Sequence, residues 1–340
     1  MDARRLIARR LANHGLARPR FNTAADVVAW YGAVQGQEFL PAKWGIAQRA
    51  KGLAGSDLDR TFDTGGILRT HLLRPTWHFV APADLRWIQA LTAPRVQAFN
   101  AYWYRENDLS PRVLARGLGV IARALEGGTH LTRPELSDAL RRARIAATST
   151  RLACLVMHAE LEAVICSGPR RGKQFTYALV DERAPRAPVK SRDEALAELT
   201  RRYFRAHGPA TIRDFAWWSS LRTADIREGI ALAGLREETI DGDSFWSVAG
   251  REAAPRAAAS VRLLPIYDEY FVAYRDRRHV TKPIKGLDMF GNHLVIDGRL
   301  AGSWRAIDGE VTLTPHTPLD ARRAAQAACE MGRYQRFVRG

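Results

Sequence analysis

Cysteine is scarce: Cys154, Cys166 and Cys329 are the three in 340 residues, an odd set that supports no disulfide framework. Long apolar runs are missing too, since no stretch reaches the roughly 18 residues of a membrane helix. The start, MDARRLIARRLANHGLARPR, carries the charges of a secretory n-region with no apolar h-region behind it. A reducing, cytoplasmic setting without a membrane partner follows, and RRLIARRLANHGL reads as a first amphipathic helix. Lysine is rare, at 6 residues against 46 arginines, and acids are outnumbered 36 to 52. The resulting net charge of +16, with a pI near 10.4, argues for a polyanionic partner, because guanidinium forks match phosphate geometry and each neutralised phosphate releases counterions. A solvated, Arg-biased surface is the bland alternative. With 46% hydrophobic and 26% charged residues, the chain is long enough for two or three globular domains.

What is present is a repeat. TAADVVAW from Thr23, TRPELSDAL from Thr132 and TIRDFAWW from Thr211 each read T-x-x-[D/E] before an apolar run, the spacing at which a threonine hydroxyl and an acid satisfy each other's free amides at a helix start. Each sits in the same order: a helix before, a second helix after, then a hairpin pattern. The hairpins are GILRTHLLRPTWHFV, ICSGPRRGKQFTYALV and EETIDGDSFWSVAG, the last turning on Asp-Gly. Three helices and a hairpin make the winged-helix plan, so the expected fold is α+β, with tandem winged helices and a C-terminal β-barrel-like domain. The expected divisions are 1–95, 96–185, 190–250 and 260–340, with Pro-rich linkers at 181–192 and 250–260. The last division has short strand patterns, RLLPIYDEYFVAYRD, NHLVIDGRLAGSW and GEVTLTPH, and a closing helix at about 318–337.

Tandem winged helices on a basic chain point to duplex DNA. The second hairpin tip carries Arg170, Arg171 and Lys173 between glycines that permit close approach to a phosphate backbone. Arg74 in the first hairpin and Arg275 and Arg277 in the C-terminal division are further candidate contacts. The third hairpin, with Asp241 and Asp243, is expected to be repelled by phosphate.

Most other candidates yield to simpler readings. Cys154, His158 and Cys166 lie near metal-ligand spacing, but Leu152, Leu155, Val156 and Ala159 place that segment on a core stripe, and no second ligand pair completes a set; no metal is expected. GPRRGKQ is too short between its glycines for a phosphate-binding loop and lacks the hydroxyl after Lys173, which excludes a nucleotide cofactor. Asp268 and Glu269 suit acid–base work, or equally a turn between two barrel strands. Lys43 has no apolar nest to depress its pKa for Schiff-base chemistry.

The stretch VQGQEF at 34–39 stays open in the same way. Helix 23–35 can end there with Gly36 as its C-cap and two incidental amides. Alternatively, the carbonyls of Gln35 and Gln37 can orient a water and stabilise developing positive charge.

VQGQEFLPAKW, ILRTHLLRPTWHFVAPADLRWI, LTRPELSDAL, SGPRRGKQFTYALVDER, GPATIRDFAWW, LLPIYDEYFVAYRDR and VIDGRLAGSWR together resemble the AlkZ/YcaQ family of winged-helix DNA glycosylases over nearly the whole chain. The resemblance implies a C-shaped arrangement of tandem winged helices with DNA in its concave channel. It also implies a monomer that needs no cofactor and hydrolyses the N-glycosidic bond of alkylated purines, crosslinked ones included. Gln35 and Gln37 match the family's catalytic Gln-x-Gln places, in a branch that includes self-resistance enzymes, and Gly36 stands where the family has an aliphatic residue. A winged-helix regulator without hydrolytic activity is the alternative.

Overall fold

The computed structural model describes residues 3–184, 186, 188–250, 260–281 and 291–340. The predicted linker at 250–260 lies, apart from its two ends, outside the described residues, as do Pro185 and Ala187 of the linker at 181–192. By contact the chain forms two compact units, 1–59 with 196–340, and 60–195. The predicted 1–95 division is thus parted at residue 59. One reason lies in the first helix, Ala3–Asn13. Its Leu6, Ile7 and Leu11 share a core with Phe245, Leu264, Phe271 and Val295 rather than with the first hairpin.

In the unit formed by 60–195, apolar positions at helical spacing build the core. Leu114, Ile121, Leu136, Leu140, Leu152 and Leu155 come from helices Pro111–Ala124, Arg133–Arg142 and Ser149–Leu161. Strand Leu131–Thr132 precedes the second of these helices, and strands Ile165–Ser167 and Thr176–Leu179 follow the third as a hairpin. The three strands form one sheet with Thr176–Leu179 in the middle. The hairpin Leu68–Leu72 and Arg74–Val80 turns at Leu73 (φ 62°) and leads into the 25-residue helix Pro82–Glu106.

In the other unit, helices Arg192–His207, Ile212–Ser219 and Thr223–Ala233 precede the hairpin Arg236–Ile240 and Asp243–Ser247. Asp241 and Gly242 both have positive φ (49° and 85°), the two-residue turn that Asp-Gly favours. Ala210 and Trp246 exchange both backbone hydrogen bonds, adding a third short strand position to this hairpin. All three Thr/acid pairs form complete capping boxes: Thr23 with Asp26, Thr132 with Glu135, and Thr211 with Asp214.

The C-terminal division is α+β but not a barrel. Strands Val261–Leu264, His293–Ile296, Arg299–Ile307 and Glu310–Pro315 make an open antiparallel meander whose first and last members are edges. The four strands among the described residues are too few to close, since a barrel with a filled interior takes about eight. Instead, Tyr334 of the final helix, Ala321–Arg339, packs its ring against Trp304 of the sheet. The apolar run YFVAY, expected as a strand, is a short helix, Glu269–Val272, started by Asp268, whose Oδ1 accepts the Tyr270 N–H at 2.9 Å. No helix among the described residues is long and apolar enough to cross a membrane.

Candidate functional site

The helix expected to run to residue 35 stops at Tyr31. Gly32, at φ 84°, donates its N–H to Val28 O and turns the chain in a conformation that glycine adopts without strain. Gln35 is therefore not at a helix end: it is the last residue of a buried three-residue strand, Ala33–Gln35. Gly36 is buried, Gln37 half-exposed and Glu38 exposed before the helix Phe39–Ala47 begins. The two amides thus stand at different depths, Gln35 at 5% exposure and Gln37 nearer the surface.

Beneath Gln35 lies a dense polar network. The Gln35 N–H donates to Glu269 Oε1 at 2.7 Å. Glu269 Oε2 accepts from Trp218 Nε1 at 3.0 Å and faces His207 Nε2 at 3.1 Å. Asp268 takes a bidentate pair from Arg49 at 2.9 and 2.7 Å, and Arg49 also donates to Gly45 O and to the Tyr31 hydroxyl. Burial works against the charge of Arg49, but Asp268 and Tyr31 more than offset it, holding the guanidinium above its ordinary range. The Tyr31 hydroxyl is pushed up by burial.

His14 joins the network between two hydroxyls, with Nδ1 2.8 Å from Tyr31 Oη and Nε2 2.8 Å from Tyr274 Oη. Burial, then the charges of His207, Arg49 and Arg10, holds His14 well below the usual histidine value, so the ring is neutral at pH 7. The Tyr274 hydroxyl also donates to His207 O at 2.6 Å and the Tyr31 hydroxyl to His14 O at 3.1 Å, so both hydroxyls tie the ring's surroundings to the backbone. A cavity of about 10 Å³, room for roughly one water, is lined by Gln35, Tyr31, Arg49, Asp268 and Glu269, among others. Lys43 is buried, with Nζ 2.5 Å from Asp59 Oδ1, and so stands in an ion pair.

The expected phosphate contacts fall into separate groups. At the 168–174 tip, Lys173 is exposed; Arg171 is exposed but bonded to Glu135 at 2.7 Å and to His130 O; and half-buried Arg170 contacts Asp63 through its backbone N–H at 2.9 Å and its guanidinium at 3.4 Å. Arg74 opens the second strand of the first hairpin and is half-buried. In the other unit, Arg275 and Arg277 share a cleft of about 520 Å³ with Arg213 and Arg278, beside Trp246. Arg278 bonds Asp243 and Asp276, so the acidic third hairpin is partly neutralised by the adjoining loop. Among the described residues no cluster of three or more His, Cys, Asp or Glu could hold a metal ion. Cys154 belongs to the apolar core, and burial pushes the Cys166 thiol up to about 12.

Sequence reasoning missed Tyr31, Arg49, His14, His207 and Trp218 as members of this network. It weighed Asp268 and Glu269 without separating their roles. The available signal was an adjacent acidic pair inside an apolar run, a costly placement unless both carboxylates are bonded.

Comparison with known proteins agrees with this architecture. The family described as "DNA glycosylase AlkZ-like" matches residues 28–337. An "Interstrand DNA cross-link repair glycosylase" from Streptomyces sahachiroi is 26% identical over 315 residues, 86% of this chain and 85% of that protein. The solved structure of the Streptomyces sahachiroi DNA glycosylase AlkZ superposes with a TM-score of 0.81 at 24% identity, covering 98% of this chain and 97% of that one.

Proposed function

From the premise that the chain belongs to the AlkZ-like family of DNA glycosylases, we propose that its substrates are purines alkylated at N7 or N3 in duplex DNA, interstrand crosslinks among them, and that Gln35 and Gln37 are its catalytic pair. It is a monofunctional glycosylase, a hydrolase of N-glycosyl bonds. Lys43, tied to Asp59, is not called on to form a Schiff base.

An N7- or N3-alkylated purine is already cationic and leaves without a general acid. The enzyme has only to position water and stabilise an oxocarbenium-like sugar. Amide carbonyls can do both while abstracting a proton poorly, so an unmodified base stays inert. The observation that carries this reading is Gln35 on a buried, hydrogen-bonded strand beside a cavity the size of a water. The crosslink component leans on the name of the Streptomyces sahachiroi relative. We further read the helix–strand–helix–helix–hairpin order of residues 111–179 as a winged helix, and the capping boxes at Thr23 and Thr211 as marks of its first and third counterparts. In this reading a monomer holds DNA in a concave channel through Arg74, Arg170, Arg171, Lys173, Arg275 and Arg277. We also assign it, on its Gln-x-Gln pattern, to the branch that includes self-resistance enzymes.

The test is release of N7-methylguanine from alkylated duplex DNA by wild type, Gln35→Ala and Gln37→Ala. Loss of a positioned polar group should cost roughly 10²-fold in single-turnover rate. Two alanine variants at full rate would remove both residues from the site. Wild-type protein that binds duplex but releases no alkylated purine would make the chain a binding protein only.

A further inference from the structure

We propose that Glu269 is a positioning residue for this cleavage: through the main-chain N–H of Gln35 it fixes the strand that presents the Gln35 amide. The inference rests on the catalytic reading of Gln35. Glu269 is 2% exposed and lies beneath Gln35, whose backbone it holds.

Its Oε1 takes the Gln35 N–H at 2.7 Å, a charge-assisted bond to the backbone of the buried one of the two catalytic candidates. Because the bond uses the main chain, it leaves the side-chain amide to other partners. The second oxygen is held by Trp218 and His207, so the carboxylate cannot swing away from Gln35 without breaking two further contacts. His207 is in turn stacked on Tyr203 (centroids 4.6 Å, interplanar angle 22°). The strand it holds is only three residues long and follows the reversal at Gly32, so a strong bond at its last residue bears directly on where that residue points.

The adjacent acid has a different job. Asp268 pairs with Arg49 and starts the 269–272 helix, which fixes the segment that carries Glu269. Asp268 thus serves the fold, and Glu269 serves the aim of Gln35.

The experiment compares Glu269→Gln, Glu269→Asp and Trp218→Phe with wild type in single-turnover release of N7-methylguanine, alongside duplex affinity. Gln keeps an oxygen at the same reach for the Gln35 N–H, without the charge and with its –NH2 facing the Trp218 N–H, and its rate should fall by about tenfold. Asp keeps the charge but is shorter by ~1.5 Å, and its rate should fall by roughly 10²-fold. Trp218→Phe removes a donor from the other oxygen and should lose much less rate than Asp; duplex Kd should stay within about threefold throughout. The proposal is overturned if Asp outperforms Gln, if both remain at the wild-type rate, or if Trp218→Phe loses as much as Glu269→Asp. Failure of wild type to release any alkylated purine would instead defeat the glycosidic reading of Gln35 itself, and this proposal with it.

Discussion

The strand around Gln35 and the hairpin tip around Arg171 both carry polar chemistry, yet they are built in opposite ways. Around Gln35 every group of the Arg49–Asp268 and Glu269–His207 pairs is buried to 5% exposure or less, and each is matched by hydrogen bonds. At the tip, Arg171 and Glu135 are exposed by about half and their pairing is open to water. A buried pair is costly to break because it leaves a charge in a low-dielectric interior, whereas a surface pair contributes only about 0–1 kcal/mol and exchanges readily. The first arrangement can hold an atom in place; the second can release Arg171 to a phosphate.

Removing one side of the buried pair should expose this difference most strongly. Asp268→Ala strands the Arg49 charge and should lower unfolding free energy by about 3–5 kcal/mol in urea titration. A cost below about 1 kcal/mol would make the buried and surface pairs equivalent and break the comparison.

The next effect is one of pH. His14 is held neutral in the fold, so below its ordinary value of 6.5 the unfolded chain binds a proton that the native chain does not. Stability from this site is therefore present above that value and lost as pH falls, with a slope approaching about 1.4 kcal/mol per pH unit. His158 and His279, also lowered chiefly by burial, add in the same direction. Urea midpoints at pH 7.5 and 5.5 should show the drop, and His14→Gln should flatten it. An unchanged slope in that variant would assign the pH dependence elsewhere.

At the second capping box, Thr132→Ala removes a capping hydroxyl and should cost about 1 kcal/mol. It also loosens Glu135, which the Thr132 N–H and then Arg171 hold down to about 2. If the tip works as read, the variant should weaken stability while leaving duplex affinity intact. The smallest effect is that of Lys173→Ala, which should lower the salt slope of duplex binding by about 1, a loss of only a few-fold in affinity. A slope that does not move would take Lys173 off the phosphate path.

Local rules were legible wherever neighbours in sequence satisfy one another. The three capping boxes and the Asp241–Gly242 turn can be read from four-residue windows, because the groups that bond are at most three residues apart. The alternating halves of 165–179 likewise follow from period alone. Net charge was a poorer guide. Arg9 and Arg10 of the first helix are 2% and 1% exposed and bonded to Glu238, Ser247 and Pro209, so part of the basic excess never faces a phosphate. The barrel expectation failed because strand propensity in YFVAY was overridden by the Asp268 cap and by complete burial, which a helix satisfies internally.

Composition and repeat by themselves determined a basic α+β chain, and the resemblance to a known family singled out Gln35 and Gln37 as its candidate pair. Only the tertiary structure decided that Gln35 lies on a buried strand and that Glu269, 234 residues away, holds its backbone. The reason is physical: capping and turns are closed by atoms a few bonds apart, so a short window contains both partners. A buried carboxylate instead takes whichever donors folding brings within 3 Å, and that choice is made by the packing of helices Arg192–His207 and Ile212–Ser219 around it.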